Sequence, residues 1–478
     1  MYLQFSICKF LKFQLVHRCI NTWIITQALD GINEKLNEVS GAQSDCTIYR
    51  VHRHLRNLNP KAYEPEVIAI GPYHRHNNNS NNNNNNSEHL KMMEGHKLRY
   101  LKQLLGPNDP LNDVKRYVAA VSRVEAEARR CYADLPETLT PAEFIQMLVL
   151  DGCFIVQLVR KFKSVMLRER NDPIFQKNWM INSLQRELML FENQLPFFVL
   201  CELYDLIEKP YQHSRFWQLL FNFFISLYPG KGSKQMPIVH PRQVKHLLDF
   251  LHQSWLPPPR CSGGGNRHEV IIPGKKLGFI SSATRLKESN VKFENRPEGN
   301  TLFDVRFEEG AMIMAPLTIE DRTEAFLRNL IAYEQYFEHN QNNFVTDYVK
   351  FLDCVVDSST DVEILSRRGI IDNWLGDEGK VAEMVNKLGD SVAGPGSSIV
   401  YGEMFEDVHR HCGKRKNKWM ANLRRNYLYS PWAIVSVAVG LVLHLFLQSR
   451  KRCLLYYRLF EGCWKSILSR AQVEMLKN

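Results

Sequence analysis

The chain has 478 residues, of which 44% are hydrophobic and 23% charged, with a formal net charge of +10. Those figures exclude a disordered or collagen-like chain and allow two to four domains, or one large body with additions. The eleven cysteines are widely spaced and odd in number, with no C-x-x-C, so they read as reduced buried thiols rather than a disulfide framework or zinc site.

Residues 1–44 read as an N-terminal extension. Its apolar start is broken by Lys9, Lys12, His17 and Arg18 and has no cleavage site, so a short amphipathic helix is expected rather than a secretory signal. Residues 45–256 read as a helical core region. Arg50, Arg53 and Arg56 would share a face of a short helix, before Pro60, Pro65, Gly71 and Pro72 impose turns. Residues 66–71 alternate like a short strand. His52, His54, His74 and His76 lack acidic or cysteine partners nearby and read as surface or satisfied histidines, not metal ligands.

The Asn-rich stretch 77–87 has no apolar surface to bury and reads as a disordered loop carrying formal glycosylation sequons at Asn78 and Asn85. Amphipathic helices are expected after it, with Leu90, Met93, Lys97, Tyr100 and Leu101 near one face, and again over 112–133. Thr140, Pro141 and Glu143 form a helix start signal. The helix that follows is apolar nearly all round, holds Asp151-Gly152 at its middle and should lie deep in the core.

Leu184, Leu188, Phe191, Leu195 and Phe198 recur at spacings of four and three, an apolar stripe along a helix. Glu192, Asn193 and Gln194 interrupt it, and Pro196 cannot donate a backbone hydrogen bond. Two core helices joined at a polar elbow are therefore expected, the second restarting with Pro196 near its first turn. Aromatic residues 216–228 and a short helix over 244–255 complete this region.

A Pro-then-Gly run makes 257–276 a linker. Region 277–395 should hold a small antiparallel hairpin, with Phe303, Val305 and Phe307 on one strand and a turn at Glu309-Gly310. Residues 318–321 should cap a helix carrying Phe326, Leu327, Leu330, Ile331 and Phe337. Further helices are expected at 344–357, 361–375 and 378–388.

Residues 396–426 read as a basic juxtamembrane helix and 427–447 as a transmembrane helix. The latter has 21 residues without a formal charge, and at about 1.5 Å each they reach about 31 Å against a hydrocarbon core of about 30 Å. Tyr427, Tyr429 and Trp432 cluster at one end, and basic residues flank both sides. A buried core helix is the alternative. Residues 448–478 form a basic tail. Seven Lys/Arg precede the span within eighteen residues and five follow it, too small a bias to fix sidedness. The absence of a clear signal favours a cytoplasmic N-terminal body.

No nucleophile elbow, zinc-helix, Walker or dinucleotide motif occurs. His409, His411 and Cys412 lie close together with no fourth ligand. Asp151 and Glu192 could pair as catalytic carboxylates if their helices face each other. The structural alternative is that Asp151, Glu192, Asn193 and Gln194 satisfy backbone groups where the helix breaks.

The stretches IYRVHRHLRNLNPKAYEPEVIAIGPYHR, LKMMEGHKLRYL, EFIQMLVLDGCFIVQLV, LMLFENQLPFFVLCELY, SATRLKESNVKF and LTIEDRTEAFLRNLIAYEQYF occur in the order found in the plant "domain of unknown function 247" family, which the chain resembles. The resemblance implies a mostly helical plant protein with one C-terminal transmembrane helix, and a link of some members to self-incompatibility recognition. It supplies no catalytic residue. The expectation is thus a mainly α fold: a helical body with a small antiparallel β element and one C-terminal transmembrane helix. Functionally it is a membrane-anchored, non-enzymatic interaction or recognition protein, whose partner is the lipid bilayer and another protein or an identical chain. No cofactor, metal, nucleic acid or small-molecule substrate is expected. The alternative is a hydrolase or transferase with a carboxylate site at the elbow.

Overall fold

The computed structural model describes residues 23–34, 46–75, 86–105, 110–208, 213–230, 243–256, 278–296, 301–337, 343–390, 401–427, 435–436, 438–450 and 461. The first 22 residues, most of the Asn-rich stretch, the 257–276 linker, most of the 448–478 tail and part of 427–447 lie outside the described residues.

The fold is mainly helical and is built around Pro141–Lys163. Thr140 Oγ1 accepts from Glu143 N at 3.3 Å, and the Glu143 carboxylate accepts from Thr140 N at 3.0 Å, closing a capping box behind Pro141. Helices Asn86–Leu104, Pro110–Arg130, Phe197–Ile207 and His213–Phe224 pack around this one. Gly152 is what lets one of them close in: a Cβ there would stand 2.3 Å from Leu203 Cδ1. Among the described residues this is the one helix of 18 or more residues apolar enough to cross a membrane. Residues 151–159 are all buried within the body, however, so here it serves as a core helix.

A second set of helices, Leu247–Trp255, Thr323–Tyr336, Phe344–Val355, Ser359–Arg367 and Glu378–Gly389, shares that core. The join is aromatic. Tyr228 meets Phe326 edge-on with ring centroids 5.9 Å apart, and Trp255 lies 4.8 Å from Phe303 and 5.2 Å from Phe326. Buried side chains from Ile48 to Val408 form one cluster. The six described cysteines are free thiols, four of them buried.

The β element is mixed, not purely antiparallel. The expected hairpin is present: Arg306–Glu308 runs antiparallel to Ala311–Met314, with Phe307 opposite Met312. Glu309 and Gly310 both have positive φ, 50° and 83°, as a two-residue turn matching strand twist requires. Lys292–Asn295 adds to the other edge of Ala311–Met314 in parallel. A second pair, Leu317–Ile319 with Ile371–Asn373, is also parallel. This overturns two expectations. The helix expected over 361–375 stops at Arg367, where Gly369 takes φ 68° and releases the chain into a strand. Residues 318–319 belong to a strand rather than a helix cap, and Thr323–Tyr336 starts with no side-chain cap bond.

Helices Gly402–Gly413 and Arg415–Tyr427 close the body, the latter lying on Ala283–Glu288. Of residues 427–447, the described ones from 438 onward belong to the apolar helix Ala438–Arg450. Every residue of 438–450 is exposed, including Leu441, Val442, Leu443, Leu445 and Phe446.

Candidate functional site

The elbow is a buried polar knot. Asn178–Glu187 ends sooner than the apolar stripe suggests, and the next helix, Phe197–Ile207, begins after Pro196. Residues 188–196 between them are not helical, so Phe191 and Leu195 sit on a buried loop. Such a loop must satisfy its own backbone. Asn193 Nδ2 donates to Glu187 O at 2.9 Å, and Gln194 Nε2 donates to Leu188 O and Leu190 O at 2.9 and 2.8 Å. Helix-end carbonyls are thus satisfied by side chains six and four residues on.

The same side chains reach outward to the segment 46–75. Asn193 Oδ1 accepts from Ile70 N at 2.6 Å while its amide donates to Ile68 O at 3.0 Å. Glu192 Oε1 accepts from Val51 N at 2.5 Å and pairs with Arg56; its other oxygen stands 3.3 Å from His74 Nε2. Asp151 Oδ2 accepts from Gly71 N at 2.9 Å. Gln194 Oε1 accepts from Leu248 N at 3.1 Å. Residues 66–71 therefore form no strand, against expectation: their amides are taken by side chains instead of a ladder. Gly71 has φ 70°, and a Cβ on it would meet Gln194 O at 2.7 Å.

Several members of the knot carried no usable signal in the sequence. Glu187 looks like an ordinary helix residue, yet its buried carboxylate accepts from three successive amides, Glu66 N, Val67 N and Ile68 N, at 2.7–3.0 Å. Burial pushes this carboxyl up, against the pull of those amides. Glu192 goes the other way. Burial would raise it, but hydrogen bonds and charge from His74 and Arg56 outweigh burial and hold it below its ordinary value. Asn329 extends the knot by accepting from Phe191 N at 2.9 Å and donating to Ala62 O at 2.8 Å. Tyr132 OH donates to Gln194 O at 3.0 Å.

Asp151 and Glu192 are served by different cations. Asp151 pairs with Lys97 at 2.7 Å, neither side chain reaching solvent, and Arg75 lies 3.4 Å away. Lys97 also donates to Ala69 O and Glu94. A cleft of about 250 Å³ opens beside Arg75 and Glu94, but neither Asp151 nor Glu192 lines it. Among the described residues no group of three or more His, Cys, Asp or Glu is arranged to hold a metal ion. His409 Nε2 lies 3.2 Å from Phe279 O, and His411 packs edge-on against Phe307. The geometry can hold a chain segment in place; of the carboxylates around Lys97, Glu94 lines this cleft and Asp151 does not.

The UPF0481 protein At3g47200 of Arabidopsis thaliana is 30% identical over 436 residues, covering 87% of this chain and 88% of its own length. A second UPF0481 protein of the same plant, At3g02645, is 21% identical over 531 residues, covering 89% and 93%. No solved structure matches the chain. The family model described as "Plant protein of unknown function" matches residues 48–446, and the chain therefore belongs to this family, DUF247.

Proposed function

We propose that this protein is a membrane-anchored, non-enzymatic interaction protein, with residues 427–447 as its anchor and the helical body as the part that meets a protein partner. The observation that carries the anchor is the helix Ala438–Arg450. Leu441, Val442, Leu443, Leu445, Phe446 and Leu447 on it are 54–65% exposed. Exposed apolar side chains along a helix are costly in water and favourable in lipid. The non-enzymatic reading is supported by the use of Asp151, Glu187 and Glu192 on backbone amides and buried cations. A hydrolase or transferase would need one of them facing a substrate space. A link to self-incompatibility recognition would fit a body of this kind, and it rests on the family resemblance alone.

On this reading the body faces the cytoplasm. Protease added to sealed vesicles bearing the full chain should then digest the body, and a glycosidase should leave its mobility unchanged. Glycans on Asn78 or Asn85, with a protected body, would overturn that placement.

A further inference from the structure

The run 414–425 carries six cations and no acidic residue, and the helix Arg415–Tyr427 divides five of them between two faces. Its inner face is docked. Asn417 is buried and donates to His411 O at 2.8 Å. Arg424 donates to Lys287 O at 2.5 Å, and Arg425 pairs with the Glu288 carboxylate at 2.9 Å. Two of the cations are thereby spent on holding the helix to Ala283–Glu288.

The remaining four, Lys414, Arg415, Lys416 and Lys418, are exposed, and among the described residues none makes an ion pair. Arg415, Lys418, Trp419 and Asn422 follow one another at helical spacing on the outer face. Trp419 is 63% exposed. A large indole left in solvent amid cations is uncommon on a free surface, and it is the combination found where helices meet headgroups: the ring at the interface, cations toward anionic lipid. The outer face ends five residues before the apolar segment begins at 427.

We propose that this outer face of Arg415–Tyr427 lies on an anionic lipid surface, the leaflet that the adjoining segment enters. Because the inner face is bonded to the body, the contact sets the body's orientation on the membrane as well as its proximity. The idea rests on residues 427–447 being the anchor. A polybasic tether swinging freely would give proximity alone.

The test uses the full chain in nanodiscs of phosphatidylcholine, with and without phosphatidylserine, treated with a water-soluble amine-acylating reagent. Labelling is read by mass spectrometry at Lys416 and Lys418, with exposed Lys380 on Glu378–Gly389 as internal reference. The expected result is labelling at Lys416 and Lys418 lower by about threefold in the anionic discs and restored by high salt, as a screened surface contact requires. Lys380 should not change. If the chain co-elutes with both discs and labels Lys416 and Lys418 equally, the lipid contact is wrong and the anchor stands. If the chain elutes apart from the discs, the anchor itself fails and the lipid contact falls with it.

Discussion

Lys97 Nζ lies 2.7 Å from Asp151 Oδ1 at a point where neither side chain reaches solvent. An ion pair in such a place offsets its own desolvation only because each partner has further bonds: Ala69 O and Glu94 for the lysine, Gly71 N and Arg75 for the aspartate. Removing one partner strands the other. Lys97→Met should cost about 3–5 kcal/mol in denaturant unfolding. Lys97→Met combined with Asp151→Asn should be less destabilised than Lys97→Met alone. A double variant as unstable as the sum of the singles would mean the two residues do not interact.

Asn193 closes three backbone bonds, to Glu187 O, Ile68 O and Ile70 N. Leucine has the same branched outline and the same number of side-chain heavy atoms, though it is bulkier, and can make none of them. Asn193→Leu should lose about 3 kcal/mol or more, at roughly 1–3 kcal/mol for each buried group left unpaired. The loss would be read as a lower urea midpoint and a smaller folded yield. An unchanged midpoint would show that the elbow does not hold segment 46–75.

Gly152→Ala would place a methyl 2.3 Å from Leu203 Cδ1. Alanine is the better helix former by about 1 kcal/mol, so an exposed glycine would gain from this change. Here crowding, typically about 1–3 kcal/mol, should win, with a net loss of up to about 2 kcal/mol read as a lower Tm. A raised Tm would mean that the two helices have room to part.

His246 is fully buried and caps Leu247–Trp255 by accepting from Asp249 N through Nδ1. Burial, partly opposed by Asp249, lowers its pKa from 6.5 to about 4. The unfolded chain therefore binds this proton first on acidification. The associated stability is intact above 6.5 and is lost as pH falls from there toward about 4, by at most about 1.4 kcal/mol per pH unit. His246→Asn keeps a capping acceptor and removes the titration. Stability measured against pH should fall less steeply over that window in the variant. Parallel curves would contradict the assignment.

Much of this architecture was legible in the sequence because it is local. Thr140, Pro141 and Glu143 mark a helix start within four residues, and Glu309-Gly310 marks a hairpin turn. A break before Pro196 was visible too, but the first helix stops at Glu187, ahead of Glu192, Asn193 and Gln194. What those side chains bind was visible only in part. The carbonyls of Leu188 and Leu190 are near neighbours of Gln194, whereas Ile70 N and Val51 N lie 123 and 141 residues away from their partners. Glu187 and Lys97 were hidden for a related reason. Each occupies a regular helix position, and only the folded chain brings Val67 N to one and Asp151 to the other. The parallel strand Lys292–Asn295 likewise needs a partner supplied by the hairpin.

The central claim is that residues 427–447 hold a folded helical body at a membrane. Alkaline carbonate extraction of vesicles carrying the full chain, beside a chain lacking 427–447, tests it most directly. The account predicts that the full chain stays in the pellet and the shortened chain is released. Release of the full chain would contradict it.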